Sequence, residues 1–203
     1  MNIVLIGGFF GSGKTTILNH LIQELLAEKM KICIIENEIG EYSIDDLILQ
    51  SSDIEMVTIA GGCVCCQVTG SLIDAIQQLE QKINPDWIFV ELTGIAFLNP
   101  LRNVLLECME IDCPILCISV IDAARWSVFY RAAAPIMIRQ VEGGDIIVVN
   151  KADLNPDVVP IYEDIHQIGS KAKIFTMSAT ANDTNNLLQE IRQEAKAYVR
   201  EEE

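Results

Sequence analysis

The chain has 203 residues, half of them hydrophobic, which excludes a disordered or fibrous protein and fits one globular domain of the usual roughly 100–200 residues. Its formal charge of -15 repels phosphate backbones and anionic bilayer surfaces, so neither nucleic acid nor a membrane is an expected partner. No apolar run approaches the about 20 residues that cross a bilayer, and Met1-Asn2 leads straight into a strand pattern without a basic or apolar leader, so residence in the cytoplasm is expected.

The first predicted strand, Ile3 to Ile6, runs into Gly8-Phe9-Phe10-Gly11-Ser12-Gly13-Lys14-Thr15-Thr16. This is a full Walker A loop, and the helical spacing of Ile17, Leu18, Leu21, Ile22, Leu25 and Leu26 follows it. Triphosphate oxygens need several backbone N–H donors in one concave loop, and glycines such as Gly8, Gly11 and Gly13 let the main chain come that close. Ser12 and Thr16 belong to the same cradle. Lys14 would reach the β- and γ-phosphates, the Thr15 hydroxyl would hold Mg²⁺, and the positive end of the helix would face the phosphates.

Further apolar runs predict strands at Lys31 to Glu36, Met56 to Ile59, Trp87 to Glu91, Ile115 to Val120, Asp145 to Val149 and Lys173 to Thr176. Between most of them lie helical patterns at Ser71 to Ile83, Leu101 to Glu110, Ala123 to Arg139, Asp157 to Ile168 and Thr184 to Val199. The alternation predicts an α/β, three-layer P-loop NTPase fold with a mostly parallel sheet of about seven strands and helices on both faces. Residues 1–203 form a single domain in this reading, with 198–203 a frayed tail. In such sheets ligands bind at the carboxyl ends of the strands, so the residues that follow each strand carry the candidate chemistry.

After the second strand come Glu36, Glu38, Glu41 and Asp45, four carboxylates in ten residues, in a stretch suited to a nucleotide-dependent switch. After the fourth, Glu91 can act through the water shell of Mg²⁺ or orient an attacking water, and the Gly94 N–H can bind a γ-phosphate and release it after hydrolysis. Lys14, Glu91 and Gly94 are therefore the catalytic candidates. A solvated acid near a helix start is the bland alternative for Glu91. After the sixth strand, Asn150-Lys151-Ala152-Asp153 suggests guanine recognition: a carboxylate at Asp153 can accept from both guanine N1–H and N2–H₂, a donor pair that adenine lacks. The Lys151 stem could cover the base, and Ser178-Ala179 is placed for a backbone N–H to meet guanine O6. The alternative is that Asp153 merely caps a turn ahead of Pro156.

Cys63-x-Cys65-Cys66 brings three thiols within four positions, too close for an easy mutual disulfide but natural for a soft or borderline metal such as Zn²⁺, Cu⁺, Ni²⁺ or Co²⁺. Two or three sulfurs with carboxylates from Glu36, Glu38 and Glu41 would form an open site suited to transfer. Small buried hydrophobes are the alternative. That alternative is the expectation for Cys33, Cys108, Cys113 and Cys117, which lie in apolar patterns. His20 and His166 are read as structural.

Together the phosphate loop, Glu-Asn-Glu-Ile-Gly-Glu-Tyr-Ser-Ile-Asp, Gly-Gly-Cys-Val-Cys-Cys, Glu-Leu-Thr-Gly and Asn-Lys-Ala-Asp resemble the CobW-type GTPases, relatives of the urease and hydrogenase nickel-insertion GTPases. The resemblance runs from Asn2 to about Leu188. It implies a metallochaperone that binds a metal at Cys63, Cys65 and Cys66, hydrolyses GTP slowly, and delivers the metal to a recipient metalloenzyme or corrinoid-type cofactor protein. Two departures stand out. Leu92 replaces the family's usual small hydroxyl residue, and the resemblance does not extend to the family's usual carboxyl-terminal domain or His-rich stretch. A homodimer, in which a twin completes an incomplete metal site, is a further expectation. The competing readings are a nucleotide-gated activator of a partner enzyme without metal delivery, and a small-molecule P-loop kinase. The kinase usually needs an arginine-rich lid, and none of the six arginines clusters near a loop that could cover phosphates.

Overall fold

A computed structural model of the chain describes residues 1–36, 54–58, 67–109, 113–178 and 184–201. The strands are β1 (Asn2–Gly7), β2 (Ile32–Glu36), β3 (Ile54–Thr58), β4 (Trp87–Glu91), β5 (Ile115–Asp122), β6 (Ile146–Asn150) and β7 (Lys173–Thr176). The helices are α1 (Lys14–Ala27), α2 (Gln67–Ile83), α3 (Leu98–Cys108), α4 (Trp126–Glu142), α5 (Val159–Ile168) and α6 (Thr184–Glu201). The seven strands pair in the order β3-β2-β4-β1-β5-β6-β7, and every pairing is parallel. The expected layered α/β architecture is the one observed.

Near-continuous apolar strands give such a sheet because successive side chains point to opposite faces and both faces are covered. In β1, Val4 and Ile6 join Ile17, Leu21 and Leu25 of α1 and Leu187 and Ile191 of α6. Ile3 and Leu5 turn the other way, onto Ile76 of α2 and Leu98, Leu101 and Leu105 of α3. A third cluster, with Ile147 and Val149 of β6, is closed by Trp126, Met137 and Val141 of α4 and Ile161 and Ile165 of α5.

Element ends differ from the sequence reading for identifiable reasons. Helix α3 starts at Leu98, three residues early, since Pro100 falls within the first turn, where a missing N–H costs nothing. Helix α4 starts three residues late, at Trp126. The delay comes from Asp122, which ends β5 and whose Oδ1 accepts from the Ala124 and Arg125 N–H groups at 3.0 and 3.2 Å, making an Asx turn first. Strand β3 begins at Ile54 rather than Met56, drawn out by its register with Ile32 of β2. Among the described residues no helix is long and apolar enough to cross a membrane.

Cys33, Cys113 and Cys117 are buried as expected, whereas Cys108, in the last turn of α3, is exposed and corrects that part of the reading. Burial pushes the Cys117 thiol up to about 12, against the opposing charge of Arg102, whose Nε donates to Cys117 Sγ at 3.1 Å. Arg102 also pairs with Asp145, which accepts from the Cys117 N–H at 2.8 Å. Brief alkylation of the folded chain at pH 8 should therefore label Cys108 and spare Cys33, Cys113 and Cys117, as peptide mass mapping would show; labelling of Cys117 as fast as Cys108 would contradict this burial.

Candidate functional site

The phosphate loop leaves β1 at the centre of the sheet, with the ends of β4 and β5 on either side. Helix α1 begins at Lys14 after Gly13, which holds φ 97°, and no side chain caps its first turn. Those N–H groups are thus available to an anion. Lys14 is buried, and its ammonium donates to the Gly8 carbonyl at 3.0 Å. The Ser12 hydroxyl is buried too and makes no hydrogen bond among the described residues. An uncapped helix start, a lysine folded back on its own loop and a buried hydroxyl together fit a triphosphate.

The residues expected to serve magnesium lie toward β4. Thr15 Oγ1 donates to Glu91 Oε1 at 2.7 Å, joining the expected Mg²⁺ ligand to the expected shell carboxylate. Register sets Glu91 beside Glu36, the last residue of β2, and Glu36 is buried. Two acidic residues thus end neighbouring strands, whose backbones run about 4.8 Å apart, at the same end of the sheet as the loop. The chain leaves β3 at Thr58, in register with Glu36. Glu38, Glu41, Cys63, Cys65, Cys66 and Ala179 lie outside the described residues. Among the described residues no group of three or more His, Cys, Asp and Glu side chains is placed to hold a metal.

The residues expected to read the base lie toward β6. Asn150 ends that strand and donates through Nδ2 to the Ser12 carbonyl at 2.8 Å. Gly13 allows this approach, because a Cβ there would lie 2.3 Å from the same amide nitrogen. Lys151 holds the left-handed conformation at φ 62°. Its ammonium donates to the Gly11 carbonyl at 2.6 Å and to Asp122 Oδ2 at 2.8 Å. Asp153 is exposed, in the turn that follows. The Ala152 N–H donates to the Met177 carbonyl at 3.2 Å, bringing the motif beside buried Ser178.

Two residues of the site went unassigned in the sequence. Arg125 donates from Nε to Asp122 Oδ2 at 2.7 Å and from Nη2 to the Phe10 carbonyl at 2.9 Å, so an arginine does stand at the lip of the phosphate loop. Asp122 is the anion that joins it to Lys151. Burial pushes the Asp122 carboxyl up, but hydrogen bonds and charge from Lys151 and Arg125 outweigh burial and hold it below its ordinary value. Only the position of Asp122, directly after a strand pattern, marked it.

One end of the parallel sheet therefore carries the glycine-rich loop with its uncapped helix start, the hydrogen-bonded Thr15–Glu91 pair, and the Asn-Lys-x-Asp turn. Residues 2–176 match the model of the family described as "CobW/HypB/UreG, nucleotide-binding domain". The chain belongs to this family. It is 28% identical over 187 residues to the zinc chaperone YjiA of Escherichia coli K12, an alignment covering 87% of this chain and 57% of YjiA. It is 24% identical over 193 residues to the zinc-regulated GTPase metalloprotein activator 1 of Dictyostelium discoideum, covering 75% of this chain and 40% of that protein. The chain thus spans about half the length of these relatives. The crystal structure of Zn(II)-bound YjiA from E. coli superposes with a TM-score of 0.64 at 25% identity, over 87% of this chain and 57% of that one. HypB from Helicobacter pylori, solved with nickel, shares the fold at a TM-score of 0.67 and 18% identity, over 96% and 89% of the two chains.

Asp122→Asn keeps the acceptor for the Ala124 and Arg125 N–H groups and removes the charge that anchors Lys151 and Arg125. Guanine-nucleotide affinity, measured by calorimetry, should fall about tenfold, the worth of one charged hydrogen bond. Because the carboxyl is depressed, the anchor is fully present above the ordinary carboxylate range and is lost only as pH falls through the lower folded value. Between pH 6 and 8 this anchor should not change.

Proposed function

We propose that this domain binds GTP with Mg²⁺, hydrolyses it slowly, and uses the cycle to hold and release a transition metal for a recipient metalloenzyme or corrinoid-type protein. The observation that carries the reading is the hydrogen bond from Thr15 to Glu91, with Glu91 in register beside Glu36. The magnesium side of the nucleotide site is thereby one strand away from the start of the acidic segment. A shift at one has a short route to the other.

Each residue has a task in this reading. The loop from Gly8 to Gly13 and the start of α1 bind the phosphates, and Lys14 leaves the Gly8 carbonyl to meet the β- and γ-oxygens. Thr15 and Glu91 hold the magnesium ion and its water shell, and that ion neutralises charge developing on the transferred phosphoryl group. Glu91 orients the attacking water, and the Gly94 N–H senses the γ-phosphate. Asn150, Lys151, Asp153, Ser178 and Ala179 select guanine. Slow turnover is in keeping with Arg125, whose guanidinium is engaged by Asp122 and the Phe10 carbonyl.

The metal is cargo, held by thiolates of Cys63, Cys65 and Cys66 with carboxylate help from Glu36, Glu38 and Glu41. Thiolates favour zinc, and the carboxylates would also admit cobalt or nickel. The names of the E. coli and Dictyostelium relatives support zinc first. A reducing cytoplasm keeps such thiols available. A second copy of the chain could complete the ligand set.

Metal affinity should be measured under reducing conditions for the native chain and for Cys65→Ser, each with GTP and Mg²⁺ and with GDP. Native binding that changes about tenfold or more with nucleotide and is lost in Cys65→Ser is the expected result. By linkage, the metal must alter GTP affinity by the same factor. Equal GTP affinities with and without zinc would defeat nucleotide-gated carriage.

A further inference from the structure

Helix α4 is broken. Ala133 sits at φ -144° and ψ 41° inside it, and Pro135, which has no N–H to donate, follows two residues on. The two pieces have different partners. On the first, Phe129 packs on Phe9 of the phosphate loop with ring centroids 4.7 Å apart. The second is fastened to the segment after β4. Gln140 Nε2 donates to the Gly94 carbonyl at 2.8 Å, Asn99 Nδ2 donates to the Glu142 carbonyl at 3.3 Å, and the Arg139 guanidinium lies 4.4 Å over the Phe97 ring.

Gln140 is the unusual member of this set. It is 1% exposed, and its Oε1 is buried with no hydrogen bond among the described residues. A carbonyl can only accept, so the amide nitrogen must be the end that faces Gly94. A half-satisfied buried amide is a poor choice for stability alone, since an apolar side chain would remove the orphaned acceptor. Its retained feature is the donor aimed at Gly94.

Gly94 lies in a turn closed by the Ala96 N–H on the Thr93 carbonyl at 3.0 Å. On its far side a Cβ would meet the Phe10 ring at 2.6 Å and the Phe10 nitrogen at 2.7 Å. Gly94 is thus held between the phosphate loop in front and Gln140 behind. We propose that Gln140 is a positioning residue for triphosphate sensing: it fixes the Gly94 carbonyl so that the N–H of the same residue is presented to a γ-phosphate. Gln140 touches no nucleotide and acts only through Gly94. The inference rests on the GTPase reading and deepens it, by assigning the discrimination of nucleoside triphosphate from diphosphate to a side chain on α4.

The test compares the native chain with Gln140→Met and Gln140→Glu. Met removes the donor and the orphaned acceptor together, and Glu keeps the size but puts an acceptor against the Gly94 carbonyl. For each, affinity for a non-hydrolysable GTP analogue and for GDP is measured by calorimetry, and hydrolysis in single turnover. In both variants the analogue affinity and the single-turnover rate should fall about tenfold, while GDP affinity stays within about twofold of native. If Gln140→Met does not fold, Gln140→Glu decides alone. A native ratio of triphosphate to diphosphate affinity with a native rate would overturn the inference, and so would equal weakening of both nucleotides, the mark of a merely structural role. If the native chain hydrolyses GTP and the variants match it, the inference alone fails. A native chain that neither binds nor hydrolyses GTP removes the GTPase reading and this inference with it.

Discussion

The site depends on one contact, the 2.8 Å hydrogen bond from the Asn150 amide to the carbonyl of Ser12. It joins the end of β6 to the middle of the phosphate loop, so two motifs 138 positions apart in the chain become one object. Both partners are buried, which makes the bond expensive to leave unmade and sets the loop's shape from the base side. Gly13 is part of the same constraint, because any side chain there would occupy the space of that amide. Lys151 and Arg125 repeat the pattern farther out, each holding one loop carbonyl and both answering to Asp122. The outer rim of the loop is thus held by its surroundings, and the Lys14 ammonium, which donates to the Gly8 carbonyl, is the group a ligand would have to redirect.

Most of the fold could be read from the chain because its strands are continuous apolar runs and its helices carry a strong apolar stripe. Trp87–Glu91 and Lys173–Thr176 have the same limits in sequence and structure. At two limits that moved, a specific residue accounts for the shift. Pro100 is harmless in a first turn and so did not delay α3, and Asp122 captured two N–H groups and so delayed α4. Register with β2 lengthened β3, and no local pattern carries that information.

The site was legible to the extent that its chemistry is written in contiguous motifs. Lys14, Thr15, Glu91, Asn150 and Lys151 meet at one end of the sheet, as strand ends in a parallel fold must. Arg125 and Gln140 were illegible for the opposite reason: their roles come from partners 115 and 46 positions away. Gln140 lies one residue past the predicted helical pattern of Ala123 to Arg139, and only the fold reveals that it is helical and buried. Cys63, Cys65 and Cys66 remain a sequence argument, carried by spacing and donor chemistry.

A chain of net charge -15 that takes an anion poses an electrostatic problem, and the site shows how it is solved. Charges on the far surface are screened over about 8 Å at physiological salt, so groups close to the phosphates decide. Two of the nearby cations, Lys151 and Arg125, are tied to Asp122 and act on loop carbonyls. That leaves the N–H groups of the loop and α1, the Lys14 ammonium and, in the proposed reading, a divalent cation beside Thr15. In the proposed reading Glu91 and Glu36 would repel a bare triphosphate and attract that cation, so the two carboxylates that oppose the nucleotide alone would favour it as a magnesium complex. The acidic ends of β2 and β4 would then make the site respond to the pair of charges arriving together, and Glu36, a member of the proposed ligand set for the cargo metal, would share that dependence.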